Sequence, residues 1–323
     1  MKSYSNALKI LKKCKIIIKD ENVESSRSLN RISASNVYSK KNYPAADNSS
    51  LDGFAINASE TNNLNRKRVK LFKICGTIAA GSDPKIKKIK KFQTVEIMTG
   101  GLLPKGFNAI IPLEEIVFYP NRKEPRFILV NKKISKYHHV RFSGSDYKKG
   151  DLLLKKGSIV QPNHILAFKA LDVRKLKVKK IPNILFFSSG NEISNQKKIP
   201  NWKIRNSNRD YIQSISSNFL INFKNGGILR DNDQIFFEKQ IKKIFNSKID
   251  IVITSGAVSA GKFDYIPKVI KKFNLSKYFK GVFIRPGKPI LFAKFKAKQK
   301  VIFGLPGNPI SSAACFRFFV YPY

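Results

Sequence analysis

The stretch that most restricts how this chain can fold is Asp250 to Asp264, DIVITSGAVSAGKFD. Ile251, Val252 and Ile253 form a short apolar run of the kind that fills a parallel strand buried on both faces. The run breaks at Ser255-Gly256, continues through small residues to Gly261 and closes on the acid Asp264. A strand that empties into a small-residue loop is where open α/β sheets bind ligands, because short side chains let backbone N–H groups face an anion. Gly256-x4-Gly261-Lys262 fits the opening of a P-loop, but Phe263 stands where Mg²⁺ binding by that loop needs a Ser or Thr hydroxyl. An ordinary nucleotide triphosphatase is therefore excluded, and a phosphate site of another kind is expected.

The surrounding sequence alternates strand and helix. Ile184 to Phe187 reads as a strand ending in Ser188-Ser189-Gly190-Asn191-Glu192. A helix is expected over Asp210 to Asn218, a strand over Leu220 to Phe223, a turn at Gly226-Gly227 and a helix over Phe236 to Phe245. Beyond the central stretch, Pro286-Gly287-Lys288-Pro289 and Pro306-Gly307-Asn308-Pro309 mark turns around strands at Ile290 to Phe295 and Val301 to Phe303, and a helix starts at Ser311 or Ser312. This alternation predicts an α/β domain over residues 181–323 with a doubly wound, mostly parallel sheet.

Upstream the texture differs. Residues 5 to 19 have the spacing of an amphipathic helix, and a second helix is expected over Ser25 to Ala34. From residue 43 to 142, β-type runs at Val69 to Ile74, Val95 to Met98, Ala109 to Pro112 and Phe127 to Val130 alternate with turns, which predicts a small β-barrel-like domain. Residues 1–42 and 143–180 are expected to form a helical and mixed linking domain, with a helix over Gln161 to Leu171 and a strand over Val173 to Val178.

Composition narrows the class of partner. The formal charge of +41 comes from 62 basic and 21 acidic residues, but the lysines run from Lys2 to Lys300 without a local patch. That distribution argues for a solvated basic surface that attracts anions generally, not a nucleic-acid site. Cys14, Cys75 and Cys315 show no paired or metal-ligand spacing and read as reduced thiols. His138 and His139 would face opposite sides of a strand, which argues against a shared metal. There is no secretory signal core and no bilayer-length apolar run, so a cytoplasmic protein without membrane contact is expected.

Four strand-end loops thus carry the chemistry: Ser189-Gly190-x-Glu192, Ser255-Gly256-x-x-Ser259-x-Gly261, Pro286-Gly287-Lys288-Pro289 and Pro306-Gly307-Asn308-Pro309. In a parallel sheet all strand C-termini lie on one edge, so these loops can converge on one crevice. They would supply amide donors, a lysine and at least two acids, a set suited to a phosphorylated substrate handled with a divalent cation.

Together with Asp47-Asn48-Ser49-Ser50-Leu51-Asp52-Gly53-Phe54-Ala55, Ile97-Met98-Thr99-Gly100, Gly144-Ser145-Asp146-Tyr147-x-x-Gly150 and Asp231-Asn232-Asp233, the ordered set resembles the molybdopterin molybdenumtransferase family, of the MoeA and gephyrin E-domain type. The resemblance implies a Mg²⁺-dependent transferase that places molybdenum from molybdate on the dithiolene of adenylyl-molybdopterin and releases AMP. A non-catalytic molybdopterin- or nucleotide-binding scaffold is the alternative it leaves.

Carried over by position, the resemblance implies catalytic roles for Asp52, Asp146, Asp231 and Asp264, with Asp264 and Glu192 at the metal. It implies substrate contacts from Thr99, Gly190, Glu192, Ser255, Gly256, Ser259, Gly261, Pro286, Gly287, Lys288, Pro289, Gly307, Asn308 and Ser311. It also implies a homodimer, and other molybdenum cofactor biosynthesis proteins as partners. Four departures stand out. Ala257 replaces a usual Gly, harmless only if its φ is negative; Asn191 replaces a usual Asp; Arg285 replaces a usual Lys; and the sequence stops where the family continues into a C-terminal β domain.

Overall fold

The computed structural model describes residues 1–85, 89–218, 220–258, 264–296 and 298–323. The chain forms two compact units, one of Met1–Glu21 with Lys177–Tyr323 and the other of Asn22–Leu176.

The second unit is built on a mixed six-stranded sheet. Its strands are β1 (Gly53–Ile56), β2 (Lys70–Ile78), β3 (Gln93–Ile97), β4 (Ala109–Pro112), β5 (Val117–Tyr119) and β6 (Phe127–Val130), in the order β4-β1-β3-β2-β6-β5. All pairings are antiparallel except β2 with β3. Side chains that alternate along β1 feed two cores: Phe54 and Ile56 join Phe72 and Ile128, while Ala55 joins Val95 and Ile110. The helix expected over Gln161 to Leu171 forms as α2 (Pro162–Ala170), but the one expected over Ser25 to Ala34 is absent; only a 3₁₀ turn, Ser25–Arg27, forms there. The reason is tertiary. Asn30 and Ser33 donate to the carbonyls of Val160 and Ser158, and Arg31 accepts from Val160, so the backbone groups a helix needs are already paired. His138 and His139 lie in a turn, with His139 at φ +52° and the two rings 4.0 Å apart, not on opposite faces of a strand.

The first unit is the α/β part. Its sheet comprises β7 (Asn183–Ser189), β8 (Asn222–Leu229), β9 (Ile251–Ser255), β10 (Leu275–Lys280), β11 (Leu291–Phe295) and β12 (Val301–Leu305), ordered β8-β7-β9-β12-β11-β10. The four strands β8, β7, β9 and β12 are mutually parallel, and β11 runs against both its neighbours. Ile251 and Ile253 enter the core on one face, with residues of α1 (Tyr4–Lys13), α3 (Ser207–Asn218) and α6 (Pro309–Cys315). Val252 enters the core on the other face, with α4 (Gln234–Phe245) and α5 (Ile266–Lys271). Helices on both faces make the sheet doubly wound and explain why β9 is apolar at every position of its first half. Helix α1 packs through Ala7 and Leu11 against this sheet, where the sequence grouping assigned residues 1–42 to a linking domain.

The turn expected at Gly226-Gly227 lies inside β8. Phe186 pairs with Asn225 and Phe187 with Gly227, which leaves Gly226 as a bulged residue. A Cβ at Gly226 would run into the ring of Phe187, so the bulge needs glycine.

Candidate active site

The site is assembled from strand ends. Register places Ser188 opposite Ser255, Ser255 opposite Leu305 and Ser189 opposite Leu229, so the parallel strands finish level with one another. Immediately beyond, the Gly190 N–H donates to the Leu229 carbonyl at 3.0 Å and the Gly256 N–H to the Leu305 carbonyl at 2.9 Å. Because β11 is antiparallel, its start lies on the same edge, and that adds Pro289. The result is a cleft of about 340 Å³ whose walls include the backbone at Ser189-Gly190, Gly256 and Pro306-Gly307 and the side chains of Glu192, Asp231 and Asp264.

Close approach explains the small residues. Gly256 has φ +94°, and a Cβ there would collide with the Ser189 carbonyl oxygen. The carboxylate of Glu192 lies directly over Gly190, in the space a side chain at 190 would occupy. Ala257 follows with φ +52°. The condition under which alanine would be harmless at 257, a negative φ, is therefore not met: the residue adopts the left-handed conformation that a Cβ disfavours.

The acids are held by neighbours. Asn191 donates from Nδ2 to Asp231 Oδ2 at 2.8 Å, so the departure from the family's acid supplies a hydrogen bond where a carboxylate would repel. Arg230 donates to the carbonyls of Gly190, Asn191 and Ile193, which ties the ends of β7 and β8 together. Its own carbonyl accepts from the Tyr265 hydroxyl at 3.0 Å. Burial, reinforced by the negative charges of Asp233 and Asp231, pushes the Tyr265 phenol well above its ordinary value and keeps it a neutral donor.

The donor set bears on a cation. Among the described residues no cluster of three His, Cys, Asp or Glu side chains is gathered closely enough to hold a metal ion. Glu192 and Asp264 nonetheless offer hard oxygens in the one cleft. Mg²⁺ typically takes one or two carboxylates and completes its shell with water and substrate phosphate, and these residues fit that pattern.

Several predicted residues do not line the cleft. Ser255 is fully buried and lies 3.3 Å from Asn208 Nδ2, so it serves the loop from beneath. Of Pro286-Gly287-Lys288-Pro289, only Pro289 reaches the wall. The Gly287 carbonyl accepts from the Cys315 thiol, and the exposed Lys288 uses its carbonyl to accept from Val282. Asn308 caps α6, accepting at Oδ1 from the Ser311 N–H at 3.1 Å. The helix thus starts at Pro309, earlier than Ser311 or Ser312. Ser259 and Gly261 lie outside the described residues.

Asp52, Thr99 and Asp146 belong to the second unit. Asp52 Oδ1 accepts from the Thr99 N–H at 2.7 Å and hydroxyl at 2.8 Å. These bonds, the backbone one first, hold its carboxyl below the usual range. Asp146 pairs with Arg141.

Sequence reasoning missed Asn208. This buried side chain at the start of α3 donates to the Gly307 carbonyl at 2.8 Å as well as facing Ser255, and so joins two of the cleft loops. Ser207-Asn208-Arg209 carries no motif, so only the fold reveals that role.

Comparison with known proteins agrees with this architecture. Residues 2–171 match the MoeA N-terminal region (domain I and II), and residues 186–323 match the probable molybdopterin binding domain. A molybdopterin molybdenumtransferase of Staphylococcus aureus is 32% identical over 297 residues, covering 92% of this chain and 68% of the relative. Its counterpart in Staphylococcus epidermidis is 29% identical over 323 residues, covering 99% and 74%. Two solved structures of a molybdopterin biosynthesis MoeA protein from Pyrococcus horikoshii superpose with TM-scores of 0.85 and 0.80 at 28% and 26% identity. Each covers 99% of this chain, and 78% and 77% of its own. No helix among the described residues is long and apolar enough to cross a membrane. The chain belongs to the molybdopterin molybdenumtransferase family.

Proposed function

We propose that this protein acts in molybdenum cofactor biosynthesis, transferring molybdenum from molybdate to the dithiolene of adenylyl-molybdopterin with release of AMP. The observation that carries the reading is the meeting of Ser189-Gly190, Gly256, Pro306-Gly307 and three carboxylates in one cleft at the ends of parallel strands. Such an edge suits a phosphoanhydride, because small-residue loops let amide groups approach its oxygens. Glu192 and Asp264 would hold Mg²⁺ there, and the cation would neutralise phosphate charge as AMP departs. Gly190 and Gly256 make room for the Glu192 carboxylate and the Ser189 carbonyl at the cleft wall, while Asn191 and Arg230 keep Asp231 and the strand ends in place. Lys288, Pro289 and Ser311 take the molybdate side of this scheme, and Asp52, Thr99 and Asp146 keep the roles that the family resemblance implies for them. The protein works as a homodimer in the same proposal.

The test is AMP release from adenylyl-molybdopterin by the purified 323-residue chain, with and without molybdate and Mg²⁺. Molybdate-dependent release is expected. Binding of the adenylylated compound without release would identify a scaffold instead. Sedimentation equilibrium checks the dimer.

A further inference from the structure

The chain has one tryptophan, Trp202, and its side chain is 76% exposed. It stands in the excursion between β7 and α3, which begins at the cleft-lining Glu192 and is braced by backbone and side-chain hydrogen bonds. Ile193–Ser194 pairs in parallel with Ile204–Arg205, and the Ile204 N–H donates to the Glu192 carbonyl at 2.8 Å. Lys203 Nζ donates to the Asn191 carbonyl. Arg205 braces the far side of the excursion through the carbonyls of Gln196 and Lys197, and Arg209 through Asn195 Oδ1. Trp202 is two residues, at most about 7 Å of backbone, from Ile204. Ile204 in turn is bonded to Glu192, whose carboxylate lies over Gly190 inside the cleft. Lys197, Lys198 and Lys203 surround it in sequence with positive charge.

An exposed indole on an excursion whose backbone is tied to Glu192 of a phosphate-sized cleft, with lysines at 197, 198 and 203, is the kind of group that recognises a flat ring carrying phosphate. We propose that Trp202 is a substrate-binding residue that stacks on the planar heterocycle of the ligand. The inference rests on the phosphate reading of the cleft. A purine of the nucleotide and the pterin itself share this chemistry, and the experiment separates them.

Because Trp202 is the sole tryptophan, the intrinsic emission of the full chain reports on it directly. We expect saturable quenching by AMP, by neopterin, or by both, and none by inorganic pyrophosphate, whose binding is followed by calorimetry. Quenching by AMP alone identifies the nucleobase as the stacked ring, and quenching by neopterin alone identifies the pterin. For whichever ligand quenches, Trp202→Ala is expected to weaken binding about tenfold and Trp202→Phe to restore most of it, with pyrophosphate affinity unchanged in both. Pyrophosphate binding with no quenching by either planar ligand, or equal affinity in Trp202→Ala, would overturn the stacking role and leave the cleft reading intact. Failure of AMP, neopterin and pyrophosphate alike to bind the wild type would remove both.

Discussion

Thr99 donates twice to a single oxygen of Asp52, through its N–H at 2.7 Å and its hydroxyl at 2.8 Å. Both bonds favour the ionised carboxylate, and the carboxyl is held below its ordinary value as a result. A depressed folded-state value means that the stabilisation is complete above the unfolded carboxyl value of about 3.9. It is lost as pH falls through the lower folded value. Thr99→Val removes the hydroxyl and keeps the N–H, so the Asp52 titration followed by NMR should move up only part of the way. The stability gap between wild type and variant, present at pH 7, should close below about pH 4.

Asp264 closes the central loop and lines the cleft. Asp264→Asn preserves shape and removes the charge. AMP release should fall by about 100-fold or more, the scale seen when one electrostatic contact to developing charge is lost, with an unchanged circular dichroism spectrum. Wild-type release in this variant would take Asp264 out of the mechanism.

Ala257 holds φ +52° between the buried Gly256 and Val258. A Cβ in the left-handed region costs roughly 1–2 kcal/mol, partly offset by the greater freedom glycine has when unfolded. Ala257→Gly is therefore expected to stabilise the protein by about 1 kcal/mol in urea titration. Ala257→Val should destabilise it, because a β-branched side chain tolerates this conformation less well than alanine.

Asn208 links the Gly307 carbonyl to the neighbourhood of Ser255 from a buried position. Asn208→Leu leaves that carbonyl without its donor and should cost about 1–3 kcal/mol in chemical denaturation. It should also weaken pyrophosphate binding, since the loop at Gly307 forms one wall of the cleft.

The sequence by itself determined the alternation of apolar strands with helices and the positions of the strand ends at Gly190, Gly256 and Gly307, though not the position of Gly226-Gly227. Both follow from local rules: a strand buried on two faces must be apolar throughout, as Ile251 to Ile253 is, and a backbone packed against a neighbouring carbonyl, as at Gly256, has no room for a side chain. Order along the chain was enough to identify the family from motifs that are individually weak.

Which loop residues face the cleft was decided only by the tertiary structure. Ser255, Gly287 and Asn308 look like ligand contacts in sequence, yet they are engaged by Asn208, Cys315 and Ser311 respectively. Asn208 and Cys315 lie 47 and 28 positions from their partners and no periodicity encodes such pairings; only the Asn308 cap on Ser311 is local. The same holds for residues 25–34, where backbone pairing with residues 158–160 replaces the helix their pattern suggests, and for the positive φ of Ala257, which no local pattern marks. Local pattern sets what a segment can be; the competition among distant donors, acceptors and side chains for the same space settles what it becomes.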